Sequence, residues 1–311
     1  MSSGASSSTF LPRRSCALLL VLLAGCGGGD DDERQAAWEL APSMANRRSY
    51  VAAGEIAGRI YVAGGMVGNT GRRLDVVQVF DPKRQVWTTL PRLPERVRAA
   101  AGAAHDGKFL VLGGTTQEGG GRQVFEYDPA ARRWGRGPPL PRVLYNHSAV
   151  TLDGRVYVLG GYDTEGEELR SVYVLERGRW RRSTSLPRPV HAFGAVVFRG
   201  EIWVIGGRRG AEQLREVWIY DPRTDRWRAG PTLRKPMELL GATVVGDEIH
   251  AVWEHTYQIY DASTGRWRDG PPPIEPRHAL SLFEVDGSLY AVGGCTPKLR
   301  DTAVVERRVV S

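Results

Sequence analysis

The chain has 311 residues, with 42 Lys and Arg against 35 Asp and Glu and a formal net charge of +7. Lysine contributes only Lys83, Lys108, Lys235 and Lys298, so the basic balance is an arginine bias of the kind genome composition produces. The three cysteines, Cys16, Cys26 and Cys295, are too few for a disulfide framework.

Taken from the N-terminus, residues 1–25 read as a segment outside the fold. Arg13-Arg14 is basic, and Cys16 to Leu23 is an apolar run too short to span a bilayer. The run ends in Leu23-Ala-Gly-Cys26. Small residues ahead of a cysteine in this place resemble a bacterial lipoprotein signal. The resemblance implies cleavage before Cys26 and lipidation of Cys26. Cys295 is then the sole remaining thiol, read as a small buried hydrophobe. Gly27 to Asp32 is a flexible, solvated stretch, so residues 26–36 are expected to act as a tether. Loss of Arg13 and Arg14 takes the charge from +7 to +5. The expected location is the cell membrane on its exported side (periplasm or outer membrane), held by lipid. That compartment argues against nucleic acid as a partner despite the positive charge.

From residue 37 onward the chain repeats. Trp38, Trp87, Trp134, Trp180, Trp227 and Trp267 are separated by 49, 47, 46, 47 and 40 residues. Strands ending in a glycine pair lie between them, as in Tyr61-Val-Ala-Gly-Gly65, Leu110-Val-Leu-Gly-Gly114, Tyr157-Val-Leu-Gly-Gly161 and Trp203-Val-Ile-Gly-Gly207. Tyr290-Ala-Val-Gly-Gly294 follows the last tryptophan. A period near 45–50 residues signals a repeat architecture. One unit, residues 146–187, predicts four strands: 146–152, a turn at Asp153-Gly154, 155–159 ending at Gly160-Gly161, then 171–175 and 179–182. Four short strands repeated six times predict an all-β, six-bladed β-propeller of four-stranded antiparallel blades. The tryptophans are expected to fill the space between adjacent sheets.

The fifth unit is degenerate, with Ile249-His-Ala-Val-Trp-Glu254 standing where a glycine pair belongs. The last unit has no tryptophan after it, whereas Ala37-Trp-Glu-Leu-Ala-Pro42 precedes the first glycine pair. The N-terminal segment of 37–311 is therefore expected to supply the fourth strand of the last blade.

The glycine pair, the aromatic-Asp-Pro turn (Phe80-Asp-Pro82, Tyr127-Asp-Pro129, Tyr220-Asp-Pro222), the tryptophan and the following Leu-Pro recur in register. In this the chain resembles the kelch-repeat family over nearly all of its length after residue 36. Some kelch propellers are copper radical oxidases, which need a tyrosine cross-linked to a cysteine, and Cys295 has no matching context. Another six-bladed relative is the periplasmic sialic acid mutarotase, which relies on a glutamate beside a blade's glycine and an arginine shortly after. Glu254 is the nearest echo, but no arginine follows it before the turn at Asp261. Otherwise Glu254 reads as an exposed loop carboxylate.

Chemistry beyond this is sparse. No histidine pair, Cys-x-x-Cys, phosphate loop or nucleophile elbow is present, so no catalytic residue, metal or cofactor is expected. His147, His191 and His278 fall near the starts of innermost strands and read as a polar lining to the channel. A basic residue follows each Leu-Pro or its equivalent: Arg47 or Arg48, Arg96 or Arg98, Arg142, Arg188, Arg234 or Lys235, and Arg277. Arg47, Arg98, Arg142, Arg188, Lys235 and Arg277 are expected to ring one mouth and attract carboxylates. The resemblance implies that such arginines meet acidic peptide segments. The reading favours a lipid-anchored, non-enzymatic module binding a protein or acidic polymer at the cell envelope. The alternative is a carbohydrate-active enzyme such as a mutarotase-like epimerase.

Overall fold

A computed structural model describes Met1, residues 37–68 and residues 71–310 of the chain. Apart from Met1, the expected signal over 1–25, the tether over 26–36 and the lipid-bearing Cys26 lie outside the described residues. No helix among those described is long and apolar enough to cross a membrane.

Six four-stranded antiparallel sheets form the blades of a propeller. In the third blade the strands are Ser148–Leu152, Arg155–Leu159, Val172–Glu176 and Arg179–Arg182, in that order outward from the axis. The second strand of every blade explains the apolar runs. In Arg59–Ala63, Lys108–Leu112, Arg155–Leu159 and Glu201–Ile205, the last four residues are all buried. A strand covered on both faces by neighbouring sheets has no polar side and loses the usual alternation. The apolar clusters accordingly straddle blades, with Tyr61 and Ala63 of the first packing on Phe109, Val111 and Tyr127 of the second.

The tryptophans do more than fill this space. Each indole Nε1–H donates to a carbonyl in the segment that leaves the preceding blade. Trp87 reaches Pro42 O (2.7 Å), Trp134 Pro91 O (2.9 Å), Trp180 Pro138 O (2.8 Å) and Trp227 Thr184 O (3.0 Å). Trp267 reaches Pro231 O (2.8 Å) and Trp38 reaches Pro271 O (2.9 Å), which closes the circuit. Tryptophan suits the position because a large apolar ring and one donor are wanted together.

The ring is joined by its ends. Glu39–Ala41 pairs antiparallel with Val305–Val309, in register Glu39↔Arg307, Leu40↔Glu306 and Ala41↔Val305, giving the last blade its fourth strand. The Asp-Pro turns are held by their aspartates: Asp128 Oδ1 accepts from the amides of Ala130 (2.9 Å) and Ala131 (3.0 Å), an Asx turn.

The polar stretches after the glycine pairs carry structure that the sequence does not announce. Small hairpins form at Met66–Val67 with Arg72–Arg73, Thr115–Thr116 with Gly119–Gly120, and Arg208–Arg209 with Glu212–Gln213. The fifth blade has no such excursion: Glu248–Trp253 pairs with Thr256–Asp261 up to Trp253↔Thr256, leaving Glu254-His255 as a two-residue turn. These excursions and the blade-to-blade connectors share one face of the disk, called the upper face below.

Candidate functional site

The upper face is built by the glycine pair. The amide of the second glycine bonds the connector of the next blade: Gly65 to Val97 O (2.9 Å), Gly114 to Leu144 O (2.8 Å), Gly161 to Val190 O (2.9 Å), Gly207 to Met237 O (2.8 Å) and Gly294 to Arg48 O (3.1 Å). Gly65 has a left-handed φ of 94°, and a Cβ there would sit 2.6 Å from Ser49 O, so a side chain is strained and crowded. In the fifth blade Glu254 holds this position. It keeps the bond, to Arg277 O at 2.8 Å, and the left-handed backbone, with φ of 47°.

The residue after each bonded connector carbonyl turns toward the axis. Ser49, Arg98, Tyr145, His191, Glu238 and His278 occupy this equivalent place in the six blades. Most bridge to the residue following their own blade's glycine pair, as in Arg98↔Thr115, Tyr145↔Tyr162, His191↔Arg208 and His278↔Cys295. These pairs surround the upper mouth of the channel. One residue further, Tyr50, Ala99, Asn146, Ala192, Leu239 and Ala279 all take left-handed φ between 47° and 55°. Their backbones link in sequence, from Ala99 N to Tyr50 O (2.9 Å) through to Ala279 N and Leu239 O (2.7 Å). This collar narrows the channel. Below it the inner strands enclose a cavity of about 510 Å³ with walls rich in alanine, glycine and valine.

The mouth has chemically different sectors. Between the first two blades, Arg98 and Arg73 converge on Thr115. Arg73 Nε donates to Thr115 O (3.1 Å), and Arg98 Nε donates to Thr115 Oγ1 (3.3 Å). Neither has a carboxylate partner among the described residues, and burial together with Arg98 lowers the pKa of Arg73. Next comes an aromatic shelf, with Tyr145 and Tyr162 at 5.4 Å and Tyr162 and His191 at 4.1 Å between ring centroids. Burial lowers the His191 pKa. Beyond it, Arg208 pairs with Glu238 (3.2 Å), which also accepts from Gln213 (3.0 Å). Finally Glu254 Oε1 meets His278 Nδ1 at 3.1 Å. Glu254 is half-buried and partnered, not the exposed loop carboxylate expected from sequence. Burial pushes the Cys295 thiol up to about 11, so it stays protonated near neutrality.

The six cations expected to form a ring do not share a register position. Arg142, Arg188 and Lys235 stand two residues before the bonded connector residue, Arg47 one before, Arg98 one after, and Arg277 at that residue itself. Arg98 faces the mouth. Arg142 is engaged by Asp163, and Arg188 by Glu216 at 3.4 Å. Arg47 and Lys235 are exposed. Arg277 is completely buried and pairs with the equally buried Glu306 at 3.3 Å. Its position holds the equally buried Arg48 in the first blade and Val97, Leu144, Val190 and Met237 in the others, so Arg277 belongs to the buried packing of the blades. Arg73 was missed because it lies on an excursion hairpin outside the repeat pattern. Of the three histidines, His191 and His278 reach the mouth. His147 is buried in the channel wall, and burial drives its pKa down to about 3. Among the described residues, no group of three or more His, Cys, Asp or Glu is placed to hold a metal ion.

The KLHDC2/KLHL20/DRC7 Kelch-repeats domain matches this chain over residues 50–252 and 103–294. Two relatives from Arabidopsis thaliana are F-box/kelch-repeat proteins. At1g16250 is 32% identical over 75 residues, covering 24% of this chain and 20% of its own. At4g39580 is 39% identical over 82 residues, covering 25% of this chain and 21% of its own. Human Kelch-like protein 35 is 39% identical over 64 residues, 21% of this chain and 11% of that protein. The matches thus span about a fifth or less of these relatives' length. Among solved structures, "Structure of YjhT" superposes with a TM-score of 0.76 at 14% identity, over 86% of this chain and 96% of that one, a likeness of fold.

Proposed function

We propose, from the premise that this chain belongs to the kelch-repeat domain family, that it is a lipid-anchored binding module whose upper mouth receives acidic partners at the cell envelope. The fold is consistent with a protein-binding module. The acidic preference rests on one observation: Arg73 and Arg98 sit side by side, partly buried, with no carboxylate partner among the described residues. Elsewhere on this face Arg142 and Arg208 each have one and Arg209 has two. Two adjacent guanidinium groups repel, and a carboxylate from a partner relieves that repulsion with directed, charge-assisted hydrogen bonds. The lipid anchor rests on Leu23-Ala-Gly-Cys26.

The test is crosslinking capture from native envelopes with wild type and an Arg73→Ala/Arg98→Ala variant. The expected result is loss of the captured partner in the variant and a steep fall of wild-type binding with salt. Capture unchanged by the variant refutes the acidic-mouth reading. Arg277→Ala is unsuited to this test because it strips a buried ion pair. Incorporation of labelled fatty acid into wild type but not Cys26→Ala tests the anchor separately.

A second reading keeps one specific observation in its favour. The Glu254–His278 pair at 3.1 Å sets a carboxylate and an imidazole in the mouth, able to pass a proton at a sugar hydroxyl. The missing arginine after Glu254 counts against it. Anomer interconversion of sialic and uronic acids, followed by NMR, decides: acceleration that Glu254→Gln abolishes establishes an enzyme, and no acceleration removes the reading.

A further inference from the structure

The excursion of the sixth blade, 295–302, has a neighbouring excursion on one side only. Toward the first blade, Asp301 accepts hydrogen bonds from Ser49 Oγ and the amide of Gly68. Toward the fifth blade no excursion stands, because Glu254-His255 is a two-residue turn. What remains is an open cavity of about 760 Å³ on the rim, outside the mouth, between the connectors that enter and leave the sixth blade. Its floor is apolar, with Pro276, Pro297, Ala303 and Val304.

Three permanent cations, Arg47, Lys298 and Arg300, line it together with His255, and all four are exposed. None has a carboxylate partner among the described residues. The two acids of the wall are already engaged: Asp301 as above, and Glu275 by Thr302 Oγ1 (3.2 Å) and Arg277 (3.8 Å). The charge offered outward is therefore positive. Two large apolar side chains stand exposed beside it, Leu299 (58%) on the excursion and Ile274 (59%) on the connector. They offer apolar contacts next to the cations of the groove.

We propose that this rim groove is a second docking site, taking an acidic peptide segment that carries an apolar side chain. The acidic residues match Arg47, Lys298 and Arg300, and the apolar residue covers Leu299 or Ile274. A polyanionic sugar would match the charge and leave both apolar side chains uncovered, which favours a peptide. The inference shares the acidic preference of the mouth but uses none of its residues, so either site can fail alone.

The test selects a displayed random-peptide library against the detergent-solubilised full chain, then measures enriched peptides by fluorescence anisotropy. Enrichment of acidic sequences around an apolar residue is expected. Their binding should weaken at least about tenfold in Arg47→Glu/Lys298→Glu/Arg300→Glu and clearly in Leu299→Ser, while Arg73→Ala/Arg98→Ala leaves it unchanged. All substituted groove residues are exposed, and tryptophan fluorescence checks that the variants fold. The proposal is overturned if no peptide is enriched, if the enriched peptides lack acids, or if groove reversal leaves binding intact. Loss of binding in the mouth variant alone, or displacement by sulfated polysaccharide as effective as by peptide, overturns it as well.

Discussion

Glu306→Leu removes the anion that holds the closing blade's connector, and its cost can be worked from the contacts. Both Glu306 and Arg277 are fully buried, 3.3 Å apart. Glu306 also accepts from the amides of Ile274 (2.6 Å) and Glu275 (3.0 Å). After the substitution Arg277 keeps only the carbonyls of Ala291 (3.0 Å) and Val304 (3.3 Å) and the more distant Glu275. An uncompensated buried charge costs about 3–5 kcal/mol. Two orphaned amides add about 1 kcal/mol or more each, so the loss is about 5–7 kcal/mol. That is a large part of the roughly 5–15 kcal/mol that holds a domain folded. The third blade fills the equivalent pair of places with Leu144 and Tyr173. Arg277→Leu/Glu306→Tyr should therefore be more stable than Glu306→Leu by at least about 2 kcal/mol, since no charge is left behind. Urea unfolding followed by tryptophan fluorescence measures all three. A Glu306→Leu cost under about 1 kcal/mol, or a double variant no more stable than Glu306→Leu, would refute the reasoning.

Three further outcomes are expected. His147→Leu, which matches Leu240 and Leu280 at the same place in later blades, should be harmless at pH 7 and should flatten the acid limb of stability. The imidazole's pKa is depressed to about 3 in the fold, so the unfolded chain takes up the proton first. Wild-type stability therefore falls as pH drops from about 6.5 toward 3, at about 1.4 kcal/mol per pH unit for this group; equal acid limbs in variant and wild type would exclude the effect. Trp38→Ala removes the indole bond to Pro271 and a large interblade side chain, at a cost of about 3–5 kcal/mol, and should raise hydrogen exchange first in Glu39–Ala41 and Val305–Val309. Asp128→Asn should lose part of its turn's stability only above the usual aspartate range. The amides of Ala131 and Ala130 hold its pKa down, so the charged form contributes above that range and its contribution fades as pH falls through the lowered value.

The fold was legible because its determinants are local and repeated. The tryptophan does one job six times, the glycine pair five times and the Asp-Pro turn three times, and the periodicity also exposed the closure at Trp38. The site was legible only in part. A repeat pattern fixes where a connector lies, but whether its basic residue faces the mouth, the rim or the core depends on a shift of one residue. Arg47, Arg98 and Arg277 differ by such shifts and end up exposed, in the mouth and fully buried. Arg73 and Arg300 sit on excursions that vary from blade to blade, so no period announces them. Glu254 looked like a loop residue because the glycine it replaces is recognised by its type, whereas the bond that defines the position is made by its amide.

The central claim is that partners engage the upper face at the mouth. The most direct measurement is a hydrogen-exchange footprint of the captured partner on the full chain. Protection is predicted around Arg73, Arg98–Ala99, Tyr145–Asn146 and Tyr162. Protection confined to the opposite face, at the hairpin turns Asp106-Gly107, Asp153-Gly154 and Asp286-Gly287, would contradict it.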